Sequence, residues 1–216
     1  MKEGSRNLIE IKDLEVTFKV RNKKMKRVNR TGLLRAVDKV TLNIRKGEVL
    51  AVVGESGCGK TTLGKAVLNI VKPTAGKILF GGIELAGLSK SEMQTMRDKM
   101  QLIFQDPYES LNPVMRICEI VAEPLQVHGL AHTPQEWLPL VVQALEDAGL
   151  KPAEHFLNRY PHELSGGQRQ RVVIAGALVL KPHLLLADEP VSMLDVSIRA
   201  EILNLLLQLQ REKGVS

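Results

Sequence analysis

Cysteine is scarce and carries no pattern. Cys58 and Cys118 are the two in 216 residues, too few for a disulfide framework, and no CxxC pair points to zinc or thiol redox chemistry. Both are expected to be reduced thiols. Long apolar runs are also missing: none approaches the roughly eighteen residues that a membrane-crossing helix needs. The opening MKEGSRNLIE lacks the apolar heart of a signal peptide. A cytoplasmic chain is the expectation. Repeats and low-complexity tracts are absent as well, which leaves one compact unit. With 44% hydrophobic residues, a chain of this length can bury a sizeable core, so it is not disordered.

Acidic residues are absent from one segment. Between Lys19 and Arg35 there are eight Lys or Arg and no Asp or Glu, so the net charge of +6 becomes −2 for the remainder. The basicity is therefore local. A run such as VRNKKMKRVNR reads as a solvated loop, with anionic lipid or RNA as the other partners such charge could meet. No nucleic-acid function is built on it.

The segments LIEIKDLEVTF and AVDKVTLNI alternate as strands do. EVLAVVG is short, β-branched and apolar on both faces, the pattern of a strand buried inside a sheet. It ends at a glycine, and GKTTLGKAVLNIV then has helical spacing, so this stretch reads strand, glycine-rich turn, helix. GKILFGG, QLIFQ and HLLLADE add further strands. From Asp106 to Leu164 the patterns turn helical, with Thr133 and Pro134 starting one helix and Gly149 stopping it. An inserted helical subdomain is expected over about 106–165. From Val196 to Glu212, Ile198, Ile202, Leu205, Leu206 and Leu209 form one helical stripe that should pack on the sheet.

Three motifs carry chemistry. Gly54, Glu55, Ser56, Gly57, Cys58, Gly59, Lys60 and Thr61 match the phosphate-cradling pattern GxxxxGK[ST], followed by Thr62, with a strand expected before and a helix after. Glycines let the backbone aim several N–H groups at one phosphate, and the helix start adds a favourable dipole. Lys60 would neutralise β- and γ-phosphate charge, and Thr61 would offer a hydroxyl to magnesium. ATP with Mg2+ is the expected ligand. The run His183–Glu189 is an apolar strand ending in two acids, which places them at the carboxyl edge of a parallel sheet where such folds bind ligands. Asp188 would hold magnesium as a Walker B acid, and Glu189 would orient and deprotonate the attacking water. Leu164-Ser165-Gly166-Gly167-Gln168-Arg169-Gln170 precedes an apolar helix and makes a second N–H-rich helix start. One ATP in one P-loop does not need two, so the second should serve another subunit's nucleotide.

Together with Gln105 and the run Ser192-Met193-Leu194-Asp195, these motifs resemble the ATP-binding cassette (ABC) family over nearly the whole chain. The resemblance implies an α/β P-loop NTPase fold with an antiparallel β subdomain and an inserted helical one, residues 1–216 forming a single ABC ATPase domain. It also implies a head-to-tail dimer in which Ser165, Gly166, Gly167 and Gln168 contact the partner's ATP. Gln105 matches the family's Q-loop glutamine, which senses magnesium and the attacking water. Asp195 matches the D-loop aspartate that couples the two sites. Phe18 stands where an aromatic stacks on adenine, the alternative being a core aromatic. Tyr108, Trp137 and Phe156 are expected to be packing residues.

QDPYESLNPVMRICEIVAEPL, HELSGGQRQRVVIA and DEPVSMLDVSIRAEI further resemble the ATPase subunits of dipeptide and oligopeptide importers, and among these the subunit that pairs with a second, non-identical ATPase. Relatives of that group carry nickel or oligosaccharides. The resemblance implies transmembrane permease partners, a substrate-binding protein acting indirectly, and a peripheral place on the cytoplasmic face of the membrane. Two departures stand out. Gly176 sits where many members have arginine, and REKGVS ends before the strand, the H-loop histidine and the carboxy-terminal extension of that group, so a longer family member and weak turnover of this chain are expected. The alternative readings are a soluble ABC ATPase acting on ribosomes or DNA, and a nucleotide-binding module without turnover.

Overall fold

A computed structural model describes residues 7–21 and 31–216; residues 22–30 of the basic run lie outside them. The chain divides into two compact units, Met1–Met93 and Gln94–Ser216.

In the first unit, β1 (Asn7–Arg21), β2 (Thr31–Arg45), β3 (Ala75–Phe80) and β4 (Ile83–Glu84) form an antiparallel sheet in the order β2-β1-β3-β4. The helix α1 (Lys60–Val67) contacts β1 and β2. Along β1 the alternating positions Ile9 and Ile11, then Leu14 and Val16, are buried, and Leu8 beside them is buried too. The period of two slips by one residue where Asp13 takes φ +45° and the register shifts, so a bulge keeps the apolar side chains on the inner face. At this point β3 passes so close that a Cβ on Gly76 would lie 2.3 Å from the Asp13 carbonyl oxygen. Phe80 and Ile78 complete the buried face.

One expectation is corrected here. Glu48–Gly54, read from EVLAVVG as a buried strand, forms no strand, and Val49, Leu50, Val52 and Val53 are exposed, Val53 at 88%. A strand exists only through a hydrogen-bonded neighbour, and no ladder among the described residues includes this stretch. Instead β2 ends in a tight turn at Gly47, with the Glu48 N–H on the Arg45 carbonyl at 3.2 Å and the Glu48 carboxylate accepting the Arg45 N–H at 2.7 Å.

The helix α2 (Lys90–Arg97) spans the boundary between the units. In the second unit β5 (Met100–Ile103) and β6 (Leu184–Ala187) run parallel, Met100 opposite Leu184 and Ile103 opposite Ala187. Between them the chain forms α3 (Pro107–Ser110), α4 (Ile117–Val127), α5 (Pro134–Asp147), α6 (Glu154–Leu157) and α7 (Gly166–Leu178); α8 (Val196–Lys213) follows β6. The start of α5 is as its sequence requires: Pro134 occupies the first turn, and the Glu136 carboxylate accepts the N–H groups of His132 and Thr133. Gly149, at φ +78°, ends it, because a left-handed residue cannot continue a right-handed helix and glycine takes that conformation without a Cβ penalty.

The helix α7 packs on α3, α4, α5, α8 and β5. Val172, Ile174, Ala175 and Ala177 are buried with Val121, Val141 and Leu145, and each of the valine, isoleucine and leucine side chains contributes about 1.5–3 kcal/mol by leaving water. The stripe on α8 meets the same core: Ile202, Leu205 and Leu209 are buried, and Ile198 and Leu206 are half-buried against it. After α8 the chain turns at Gly214, and Ser216 pairs with β6 by accepting from Leu185 N–H at 2.8 Å and donating to the His183 carbonyl at 2.9 Å. Trp137 is buried and Phe156 half-buried, so both pack as expected. Cys118 is buried too, and burial pushes its thiol pKa up, which makes it unreactive; Cys58 is exposed.

Candidate functional site

The phosphate-loop residues belong to the first unit. Gly57 and Gly59 take φ of +82° and +100°, which curls the backbone before α1. The Lys60 ammonium donates to the carbonyls of Gly54 and Glu55, both at 2.8 Å, and lies 3.8 Å from Cys58 Sγ. The Cys58 N–H donates to the Glu55 carbonyl at 3.3 Å. Ser56 is exposed in this turn, and Thr61 and Thr62 open α1. Gly59 is obligatory, since a Cβ would fall 2.2 Å from the Ala36 carbonyl of β2. On Gly54 a Cβ would fall 2.7 Å from Cys58 Sγ. Such a loop, with an ammonium inside a ring of backbone dipoles and an exposed helix start, suits a polyphosphate. Phe18, also in this unit, is 39% exposed on β1 opposite Leu34 of β2, which rules out a core role for its ring.

The remaining predicted residues belong to the second unit. Because β5 and β6 are parallel, the residues that follow them emerge at the same sheet end, and Gln105 Nε2 donates to Glu189 Oε2 at 2.9 Å. The Asp188 N–H extends the ladder by donating to the Ile103 carbonyl at 3.1 Å. Glu189 holds φ +48°, an uncommon conformation for a residue with a Cβ. The turn that follows is tied back to it, Ser192 Oγ donating to the Glu189 carbonyl at 3.1 Å. Backbone strain at a carboxylate facing a glutamine amide is the kind of outlier that functional sites keep.

At the start of α7, Ser165 caps the helix. Its Oγ accepts the Gln168 N–H at 3.3 Å, and the Gln168 side chain accepts the Ser165 N–H at 3.0 Å. Gly166 and Gly167 form the first turn, where a Cβ on Gly167 would lie 2.8 Å from Ile198 of α8. The turn from Ser165 to Gln168, the signature turn of the family it resembles, is thus packed against the beginning of α8, whose N-cap is the exposed Asp195. Gln170, one turn along, is wholly buried. Gly176 has open space around its Cβ position, so a side chain there meets no obstacle.

Magnesium would have to be shared with the nucleotide. Among the described residues no group of three or more His, Cys, Asp or Glu is placed to hold a metal ion. In the second unit a glutamine amide and a carboxylate are oxygen-donor groups of the kind a hard cation takes beside substrate phosphates and water.

A family profile described as ABC transporter matches residues 37–192. The chain belongs to the ABC transporter family. The oligopeptide transport ATP-binding protein OppF of Escherichia coli K12 is 49% identical over 214 residues, which is 99% of this chain and 64% of that protein. Its namesake in Bacillus subtilis 168 is 47% identical over 210 residues, covering 97% and 65% respectively. The chain therefore spans a little under two thirds of these relatives' length. Among solved structures, the dimeric post-hydrolysis state of the ATP-binding cassette MJ0796 bound to ADP and Pi superposes with a TM-score of 0.78 at 32% identity, covering 95% of this chain and 84% of that one.

In this ABC cassette the sequence reading missed one arrangement. Tyr108, expected to pack in the helical part, is 58% exposed, and its ring lies under the Arg169 guanidinium at 4.3 Å. The two residues are 61 positions apart, and no local pattern pairs an aromatic after a Q-loop with an arginine after a signature. The positive φ of Glu189 was equally hidden, because it follows from how β6 hands over to the next turn.

Proposed function

We propose that this chain is the ATP-binding and hydrolysing part of an importer subunit, that residues 1–216 form its single ATPase domain with the helical subdomain at about 106–165, and that dipeptides or oligopeptides are the cargo. The observation that carries the reading is the Gln105–Glu189 hydrogen bond at the end of two parallel strands, in a chain whose Lys60 closes a phosphate loop. The similarity to OppF supports the cargo class.

Gly54 to Thr62 bind the phosphates, and Lys60 leaves its loop carbonyls to take up the β- and γ-oxygens. Phe18 stacks on adenine. Magnesium, when bound with ATP, spreads the charge of the phosphates; Thr61, Gln105 and Asp188 are the residues that would hold it. Glu189 accepts a proton from water as the new O–P bond forms and the bond to the leaving ADP oxygen breaks. Gln105 keeps that water beside the carboxylate. Ser165, Gly166, Gly167, Gln168 and Asp195 serve the nucleotide of a second, non-identical ATPase in a head-to-tail dimer. Permease subunits receive the motion and place the assembly on the cytoplasmic face of the membrane, with a substrate-binding protein delivering cargo. Among the described residues no helix is long and apolar enough to cross a membrane, which suits a peripheral role.

The test is magnesium-dependent ATP binding and turnover by the full-length polypeptide beside Lys60→Ala and Glu189→Gln. Lys60→Ala should lose binding, while Glu189→Gln should keep binding and lose about a hundredfold or more in rate. Equal ATP binding by Lys60→Ala and the parent would overturn the reading.

A further inference from the structure

A closed circuit of contacts joins the Gln105 strand end to the signature turn within the second unit. It begins at Asp106, which caps α3 by accepting the Tyr108 N–H at 2.7 Å. The Tyr108 ring carries the Arg169 guanidinium on its face at 4.3 Å. The same guanidinium is held by its Nε, which donates to the Pro161 carbonyl at 2.7 Å, while the Arg169 backbone N–H closes the first turn of α7 on the Ser165 carbonyl at 2.9 Å. The Tyr108 hydroxyl stands 3.8 Å from the Cβ position of Gly166, whose other neighbour is Leu194 at 3.6 Å. The Leu194 carbonyl accepts from Arg199 Nε at 2.7 Å. Arg199 Nη2 donates to the Ser192 carbonyl at 3.5 Å, Ser192 Oγ donates to the Glu189 carbonyl, and the Glu189 carboxylate accepts from Gln105.

We infer that Tyr108 and Arg169 are a positioning pair: their stack makes the start of α7 and the Gln105 strand end move as one body. When a partner's nucleotide engages the signature turn, Gln105 thereby keeps its place against Glu189. Three features support this. The stack lies outside the core, so packing alone does not require it. Arginine suits the site because its planar guanidinium can lie flat on a ring while its Nε reaches a carbonyl, which a lysine cannot do. The Tyr108 hydroxyl also lies within ordinary van der Waals distance of the Gly166 Cβ position, 3.8 Å away, so the phenol borders the signature turn. The inference rests on the ATPase reading above and adds that hydrolysis, but not ATP capture by the phosphate loop, depends on two residues that need not touch the nucleotide.

The experiment measures ATP turnover against ATP concentration for the full-length polypeptide with its dimer partner. The variants are Tyr108→Ala, Tyr108→Phe, Arg169→Ala and the Tyr108→Ala/Arg169→Ala double, with Glu189→Gln as background. Each alanine variant should lower kcat about three- to tenfold with KM changed less than about twofold. Tyr108→Phe, which keeps the ring, should retain the parent kcat. The double variant should be no slower than the slower single, since both remove one interaction. Because Tyr108 is exposed, its alanine variant should melt with the parent. Parent-like kcat in Tyr108→Ala, multiplying losses in the double, or equal losses in the Phe and Ala variants would each overturn the pairing while leaving the ATPase reading in place. Parent turnover no faster than Glu189→Gln would overturn both.

Discussion

Around the phosphate loop the bonds of the Lys60 ammonium close within six residues, onto Gly54, Glu55 and Cys58. Gln105 and Glu189 meet across 84 residues of sequence. The loop is a product of glycine conformations and one flexible cation, and its preceding residues Val49 to Val53 are exposed. The strand-end pair exists only once five helices have folded between β5 and β6 and α7 has found its place in the core. A motif can thus be locally complete while the chemistry it serves depends on a distant pairing.

The sharpest way to break the comparison is in the core that supports the strand ends. Ile174→Ala empties a wholly buried site in α7 and should cost about 2–5 kcal/mol. Chemical denaturation checks this, and a midpoint unchanged from the parent would show that α7 does not organise this core. Next comes the loop itself. Gly59→Ala must place a Cβ against the Ala36 carbonyl at φ +100°, a strain of about 1–3 kcal/mol, so titration with a fluorescent ATP analogue should show binding lost. Undiminished binding would mean that the close approach to β2 is dispensable.

A smaller effect of opposite sign separates stability from activity. Glu189→Gly removes the left-handed strain at φ +48° and should raise stability by up to about 1 kcal/mol while abolishing turnover. A lower melting temperature would refute stored strain at this carboxylate. The smallest effect belongs to the α5 cap. The backbone N–H of His132, and then that of Thr133, hold the Glu136 carboxyl below its ordinary value. With the folded value under the unfolded one, the cap's contribution is complete above the unfolded pKa and is lost as pH falls through the folded one. An NMR titration should give Glu136 a lower midpoint in the folded chain than in urea; equal midpoints would remove the cap.

Much of this was legible because the signals are local. Thr133, Pro134 and Gly149 marked both ends of α5, and the stripe from Ile198 to Leu209 predicted the buried face of α8. The buried-strand pattern of EVLAVVG misled, since apolar β-branched residues state a preference for a sheet but cannot supply the neighbouring ladder. Tyr108 misled differently. An aromatic in a helical region reads as core, yet here an arginine covers its ring.

The sequence alone was enough to predict a phosphate loop from Gly54 to Thr61, since glycines, a lysine and a helix start are local signals carried by eight consecutive positions. It was equally enough to predict that a helix starts after Leu164-Ser165-Gly166-Gly167. Only the tertiary structure decided that Gln105 faces Glu189, that Gly167 leaves room for Ile198 and that Arg169 lies on Tyr108. Such contacts depend on strand pairing and helix packing, which join residues that no sequence spacing relates.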